Sequence, residues 1–296
     1  MSLSNLFGKV RDQASAAIFG RPTPSTDNVE FTEDPCLTCS APCAEGHAAY
    51  PDAIVKSIET KDALLGTMKP YKRHAMYCAG TGDAWPGSLE DDLAADAFQS
   101  AIRAGAEAGT KAAEGAGRNP GRTIISAIDA VPEGHSEGSE SVTDVKQTEV
   151  LLFPDYKALR GVTAAEASSI VNEWVANGAL PASVPAPVAE LVDLTHEAYV
   201  FVCVHKKRDK RCGVTGPMLI KEFNHALEDA GLSDKVAVAG ISHIGGHKYA
   251  GNIYSKKFPQ GVWYGRVITC HVEHIIKSTV LEGKIFKELF RGQGTA

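Results

Sequence analysis

The run AYVFVCV at 198–204 is nearly all apolar and rich in β-formers, and it constrains the fold more than any other stretch of the chain. A strand that is apolar on both faces must be covered on both. It therefore belongs at the centre of a sheet, in an α/β arrangement. The run carries Cys203 at its carboxyl end, followed by a loop with Lys206, Lys207, Arg208, Lys210 and Arg211, and then by Cys212. A helix is expected from Pro217 to Ala230, so both thiols fall near a strand-to-helix crossover, where open α/β folds bind ligands. A helix amino terminus and nearby Lys and Arg favour thiolate, the form that metals bind.

A strand expected over 236–241 leads to His243 and His247, which bracket Ile244, Gly245 and Gly246. The i, i+4 spacing would align both rings on a helix, but two glycines favour a sharply folded loop. Taken singly, Cys203 reads as a core residue and His243 as a loop histidine. Two thiols and two imidazoles on loops at one sheet edge read instead as a metal site. The set fits zinc, or a two-iron cluster with two histidines in place of two cysteines, as in Rieske centres. Lys248, Tyr249 and Asn252 could support it from behind.

The expected elements fall into two halves of the order β-α-β-β-α. The first has strands at 71–79, 123–130 and 148–153, a helix over 88–108 and a second helix over 163–177 capped by Thr163. The second has strands at 198–204, 236–241, 251–255 and 261–268, one more than the first, and helices over 217–230 and 270–281. Between the halves lie Pro181, Pro185 and Pro187, a stiff connection placed as the domain boundary. Phe153-Pro154 and Phe258-Pro259 each precede a valine, Val162 and Val267, by the same interval, a short echo that suggests internal duplication. The organisation is thus an N-terminal flexible segment 1–34, an α/β domain 35–178 with a cysteine-rich start, and a C-terminal domain 191–291.

With 296 residues, 44% hydrophobic and 22% charged, the chain has the composition of a water-soluble two-domain protein. A net charge of -6 argues against general nucleic-acid binding. No apolar run is long enough for a membrane span. Seven cysteines without a secretory signal point to a reducing compartment, the cytoplasm. Residues 1–21 show helical apolar spacing with Lys9, Arg11 and Arg21 against Asp12, which suits a short packing helix or, as the rival, a mitochondrial presequence.

Cys36, Cys39 and Cys43, followed by His47, form a second constellation. Its readings are a compact zinc site, a redox pair, or unengaged thiols. His271 and His274 read as ordinary surface or core histidines, and Trp85 and Trp263 as packing residues.

The motif CVHKKRDKRCGVTGP at 203–217, with HIGGHKYAGN at 243–252 and CAGTGDAWP at 78–86, closely resembles the sucrase/ferredoxin-like family, from about Cys36 onward. The resemblance implies a thioredoxin-like, ferredoxin-type C-terminal domain holding a 2Fe-2S cluster, with Cys203 and Cys212 on one iron and His243 and His247 on the other. The C-terminus at Ala296 lacks the terminal tryptophan of some relatives. Two neutral ligands in place of two thiolates raise the reduction potential toward roughly -150 to +300 mV. If the imidazoles reach solvent, that potential depends on pH. The expected role is an electron carrier or oxidoreductase component, not a hydrolase, whose redox partner docks near the basic loop 206–211. The alternative is a zinc-stabilised thioredoxin-like scaffold acting in protein interaction, in actin or cortical organisation.

Overall fold

The computed structural model describes residues 29–38, 46–89, 98–130, 147–182, 184, 190–251, 253–255 and 261–295. Its strands are β1 (Phe31–Thr32), β2 (Arg73–Cys78), β3 (Thr123–Ile128), β4 (Gln147–Phe153), β5 (Lys157–Thr163), β6 (Glu190–Asp193), β7 (Ala198–Cys203), β8 (Val236–Ile241), β9 (Ile253–Ser255), β10 (Val262–Tyr264), β11 (Ile285–Phe286) and β12 (Phe290–Gln293). The longer helices are α1 (Phe98–Gly115), α2 (Ala164–Asn177) and α3 (Lys210–Asp229), and α4 is Val272–His274 continued by a π-type segment Ile275–Leu281. Among the described residues no helix is long and apolar enough to cross a membrane.

The molecule is mixed α/β, built on one curled ten-stranded sheet of order β12-β10-β9-β7-β8-β3-β2-β4-β5-β6. Strand β7 lies between β8, parallel, and β9, antiparallel, and all six of its residues are buried. Its two faces have different cover. Val200 and Val202 pack with Leu219 and Phe223 of α3 and with Ile275 of α4. Tyr199 and Phe201 pack against Met76, Leu151 and Phe153 of the first half. The curl thus lets one half of the sheet serve as the second layer for the other, which is why β7 can be apolar throughout.

The halves join edge to edge where β3 meets β8. Their antiparallel ladder has the single registered pair Ile128↔Ile241, with Asp129 N–H donating to Gly240 O at 3.0 Å and Ser242 N–H to Ala127 O at 2.8 Å. Each of these strands is parallel to its other neighbour, β2 or β7, and they touch only at their carboxyl ends. Beyond that contact they diverge.

Several sequence expectations shift. Helix α3 begins at Lys210 rather than near Pro217, because Asp209 caps it through a bond from Arg211 N–H at 2.9 Å and the helix absorbs Pro217 in its interior. Helix α1 is described from Phe98 and runs on to Gly115, past the expected end at 108; residues 90–97 lie outside the described set. The expected order lacked β5, whose Lys157, Arg160 and Gly161 interrupt the apolar pattern, although β4 and β6 pair with it on both sides. Residues 31–32, placed in the flexible tail, pair with β11. Helix α2 starts as expected, with Thr163 and Glu166 forming a reciprocal capping box. The expected amphipathic segment 1–21 lies outside the described residues.

Candidate metal centre

Strand β7 delivers Cys203 at its last residue, and α3 returns Cys212 in its first turn, two residues past the helix start. Helix and strand approach closely because residue 216 is glycine: a Cβ there would sit 2.4 Å from the Cys203 carbonyl oxygen. Both thiols are buried. A hydrogen bond with Cys212 is the strongest influence on the Cys203 thiol; burial opposes it and His243 reinforces it, and the balance holds Cys203 well below the usual thiol range.

His243 follows the end of β8, and the loop turns at Gly245 and Gly246, with φ of 79° and 71°, to present His247 beside it. These left-handed conformations are the ones glycine tolerates without a Cβ penalty. The two rings lie 5.0 Å apart between centroids. His243 also interacts with the Cys203 thiol, so the loop and the crossover converge. The structure brings all four sequence-selected residues into one neighbourhood.

His247 has Nε2 3.9 Å from Asp209 Oδ2, while its Nδ1 is buried without a hydrogen-bond partner. Burial and then the neighbouring His243 lower the His247 pKa, which favours the neutral ring that a metal ligand requires. The donor set and the unsatisfied nitrogen fit a thiolate- and imidazole-ligated metal centre.

Three supporting residues, His205, Asp209 and Arg291, are not singled out by the sequence, and Trp85 packs with the first of them. His205 accepts the His243 backbone N–H at Nδ1, 3.2 Å, and its Nε2 lies 2.7 Å from Pro86 O, so the proton resides on Nε2. Trp85 packs edge-on against the same ring, 5.6 Å between centroids. Asp209 caps α3, holds Arg211 through a 2.8 Å contact and faces His247. Arg291, buried on β12, donates to Gly245 O at 3.2 Å and lies over the rings of Tyr249 and Trp263. Burial lowers Arg291 to about 10, leaving it charged at neutral pH near both thiols. The visible signal for His205 was its place two residues after Cys203; Arg291, distant in sequence, gave none.

The described part of the N-terminal constellation does not bring Cys36 and His47 together. Cys36 shares a cluster with Asp34 and His271, whose ligand-type atoms all lie within 4.8 Å of one another. His47 instead has Nε2 3.9 Å from Glu222, and Cys39 and Cys43 lie outside the described residues. Asp34 accepts from Cys36 N–H at 2.8 Å and lies 3.1 Å from His271 Nε2. Because Ile268 N–H donates to His271 Nδ1 at 3.1 Å, the ring proton is on Nε2 and points at Asp34. A metal at Nε2 would have to displace that proton and reverse the Nδ1 bond. The trio ties the segment carrying Asp34 and Cys36 to His271.

The chain is 42% identical over 130 residues to altered inheritance of mitochondria protein 32 of Clavispora lusitaniae, covering 43% of this chain and 47% of that one. It is 41% identical over 93 residues to actin patches distal protein 1 of Saccharomyces cerevisiae, covering 27% and 29%. It therefore matches less than half the length of these curated relatives. A solved thioredoxin-like 2Fe-2S ferredoxin from Aquifex aeolicus aligns over 34% of this chain and 96% of its own, with 19% identity and a TM-score of 0.30. The family model described as sucrase/ferredoxin-like matches residues 64–292, a stretch that contains Cys203, Cys212, His243 and His247, and the chain belongs to that family.

Proposed function

We propose that this protein is a redox protein that holds a 2Fe-2S cluster, with Cys203 and Cys212 on one iron and His243 and His247 on the other. The observation that carries this is the convergence of the β7–α3 thiols with the two imidazoles after β8, where the buried Nδ1 of His247 has no hydrogen-bond partner. Such a cluster, when bound, takes up and returns one electron. The chain's own residues do the rest. Arg291 places positive charge beside the thiolates, His205 fixes the His243 backbone, and His247 keeps Nε2 toward Asp209, where a proton can sit. The basic residues 206–211 form the docking surface for a redox partner.

On the same reading the two β-rich halves, 35–178 and 191–291, are thioredoxin-like units related by duplication. The protein acts in the cytoplasm or, as the names of its relatives suggest, in connection with mitochondria. The deciding experiment is iron, sulfide and zinc analysis of the protein purified anaerobically, with EPR of the reduced sample. A red-brown protein with two irons and two sulfides is expected. A colourless protein with stoichiometric zinc would replace this reading by a zinc-stabilised interaction scaffold.

A further inference from the structure

On one side of the Ile128↔Ile241 contact, β3 and the loop that carries His243 separate, and together with α1 they line a cleft of about 870 Å³. Its size falls in the range of small-molecule sites. Its charge is opposite to that of the chain: Lys69, Arg103, Lys111, Arg122 and Arg291 line it against Glu107 and Glu114, in a protein of net charge -6. A concave surface of one sign concentrates ligands of the other.

The cleft is polarised along its length. At one end lie Lys111, in the last turns of α1, and Arg122, one residue before β3, whose Nη1 donates to Lys69 O at 3.2 Å. At the other end are His243 and Gln99, which also line an adjoining cavity of about 90 Å³. Gln99 is only 7% exposed, and its Oε1 is buried without a hydrogen-bond partner. An unsatisfied buried carbonyl is costly and calls for a donor. Between the ends run apolar and aromatic walls, including Ile124, Ile244 and Trp263, suited to a flat ring.

We propose that this cleft binds a phosphorylated planar heterocycle, of nucleotide or flavin-phosphate chemistry, with its phosphate at Lys111 and Arg122 and a ring N–H toward Gln99 beside His243. Its link to electron exchange rests on the reading of His243 as a cluster ligand; the binding itself does not.

The test is titration of flavin mononucleotide and NADPH into the full-length protein as purified, followed by fluorescence, with riboflavin as the phosphate-free comparison. At least one phosphorylated probe should bind, with riboflavin about tenfold weaker than flavin mononucleotide. The double variant Lys111→Gln, Arg122→Gln, altered at exposed side chains, should bind the phosphorylated probe about tenfold more weakly, and Gln99→Leu should weaken the ring-bearing probes. Absence of binding by both probes at about 1 mM, or equal binding by the double variant, overturns the proposal. Iron-containing protein that ignores the probes refutes the cleft alone. Binding by protein that lacks iron and sulfide refutes the cluster alone.

Discussion

The backbone N–H of His243 donates to Nδ1 of His205 at 3.2 Å, tying the loop after β8 to the residue two places beyond Cys203. One buried imidazole thus couples the thiol-bearing crossover to the histidine-bearing loop, and its other nitrogen reaches across to Pro86 O at 2.7 Å. Replacement of His205 by Leu should leave both groups without their partner, at about 1–3 kcal/mol each. The expected outcome is a folded protein with lower Tm and reduced iron retention. An unchanged iron content after this substitution would show that the loop holds its own shape.

Gly216→Ala should act through distance. The added Cβ would lie 2.4 Å from Cys203 O and 2.9 Å from Val204 Cγ1, so α3 must shift away from β7. Overpacking of this kind costs about 1–3 kcal/mol. Because Cys212 sits one turn earlier on the same helix, metal content should fall more than the melting temperature suggests. Parallel iron analysis and calorimetry check this; a stability loss with full iron retention contradicts it.

The two kinds of ligand should respond differently to substitution. Cys212→Ala removes a buried thiol from the pair and should abolish cluster binding. His247→Cys restores a soft donor that carries negative charge, and should keep the cluster at a lower potential. Voltammetry and visible spectra of both variants give the readout, and a higher potential in the cysteine variant would sink the assignment.

Acid sensitivity should arise at Asp34. Burial raises its pKa, but the hydrogen bonds from His271 and from the Cys36 backbone N–H outweigh that and hold it below the usual carboxylate range. A carboxylate depressed on folding contributes stability that is complete above its unfolded pKa and lost as pH falls through its folded value. The resistance of the wild type to urea should therefore fall as pH drops below about 4, and the Asp34→Asn variant should lack this pH-dependent component. Identical acid profiles for the two proteins would remove Asp34 from the account.

Much of the site was legible from the chain. Cys203 and Cys212 stand out because a buried central strand and a basic loop are local patterns, and His243 and His247 because paired glycines announce a tight loop. The start of α3 was misplaced because proline usually marks a first turn, whereas here the Asp209 cap overrides it. Strand β5 is not legible in the sequence because its buried positions follow no alternation, and only its pairing with β4 and β6 defines it.

By itself, the amino-acid order determined the α/β character, the all-apolar β7, the capped α2 and the identity of the four candidate ligands, since each depends on residues close in sequence. Only the tertiary structure decided that the halves meet through Ile128 and Ile241, that Arg291 and His205 support the site, that Cys36 is paired with Asp34 and His271, and that a cationic cleft opens beside His243. Those relationships join residues from distant parts of the chain, and no local periodicity encodes them; they exist because one curled sheet buries its inner face against itself.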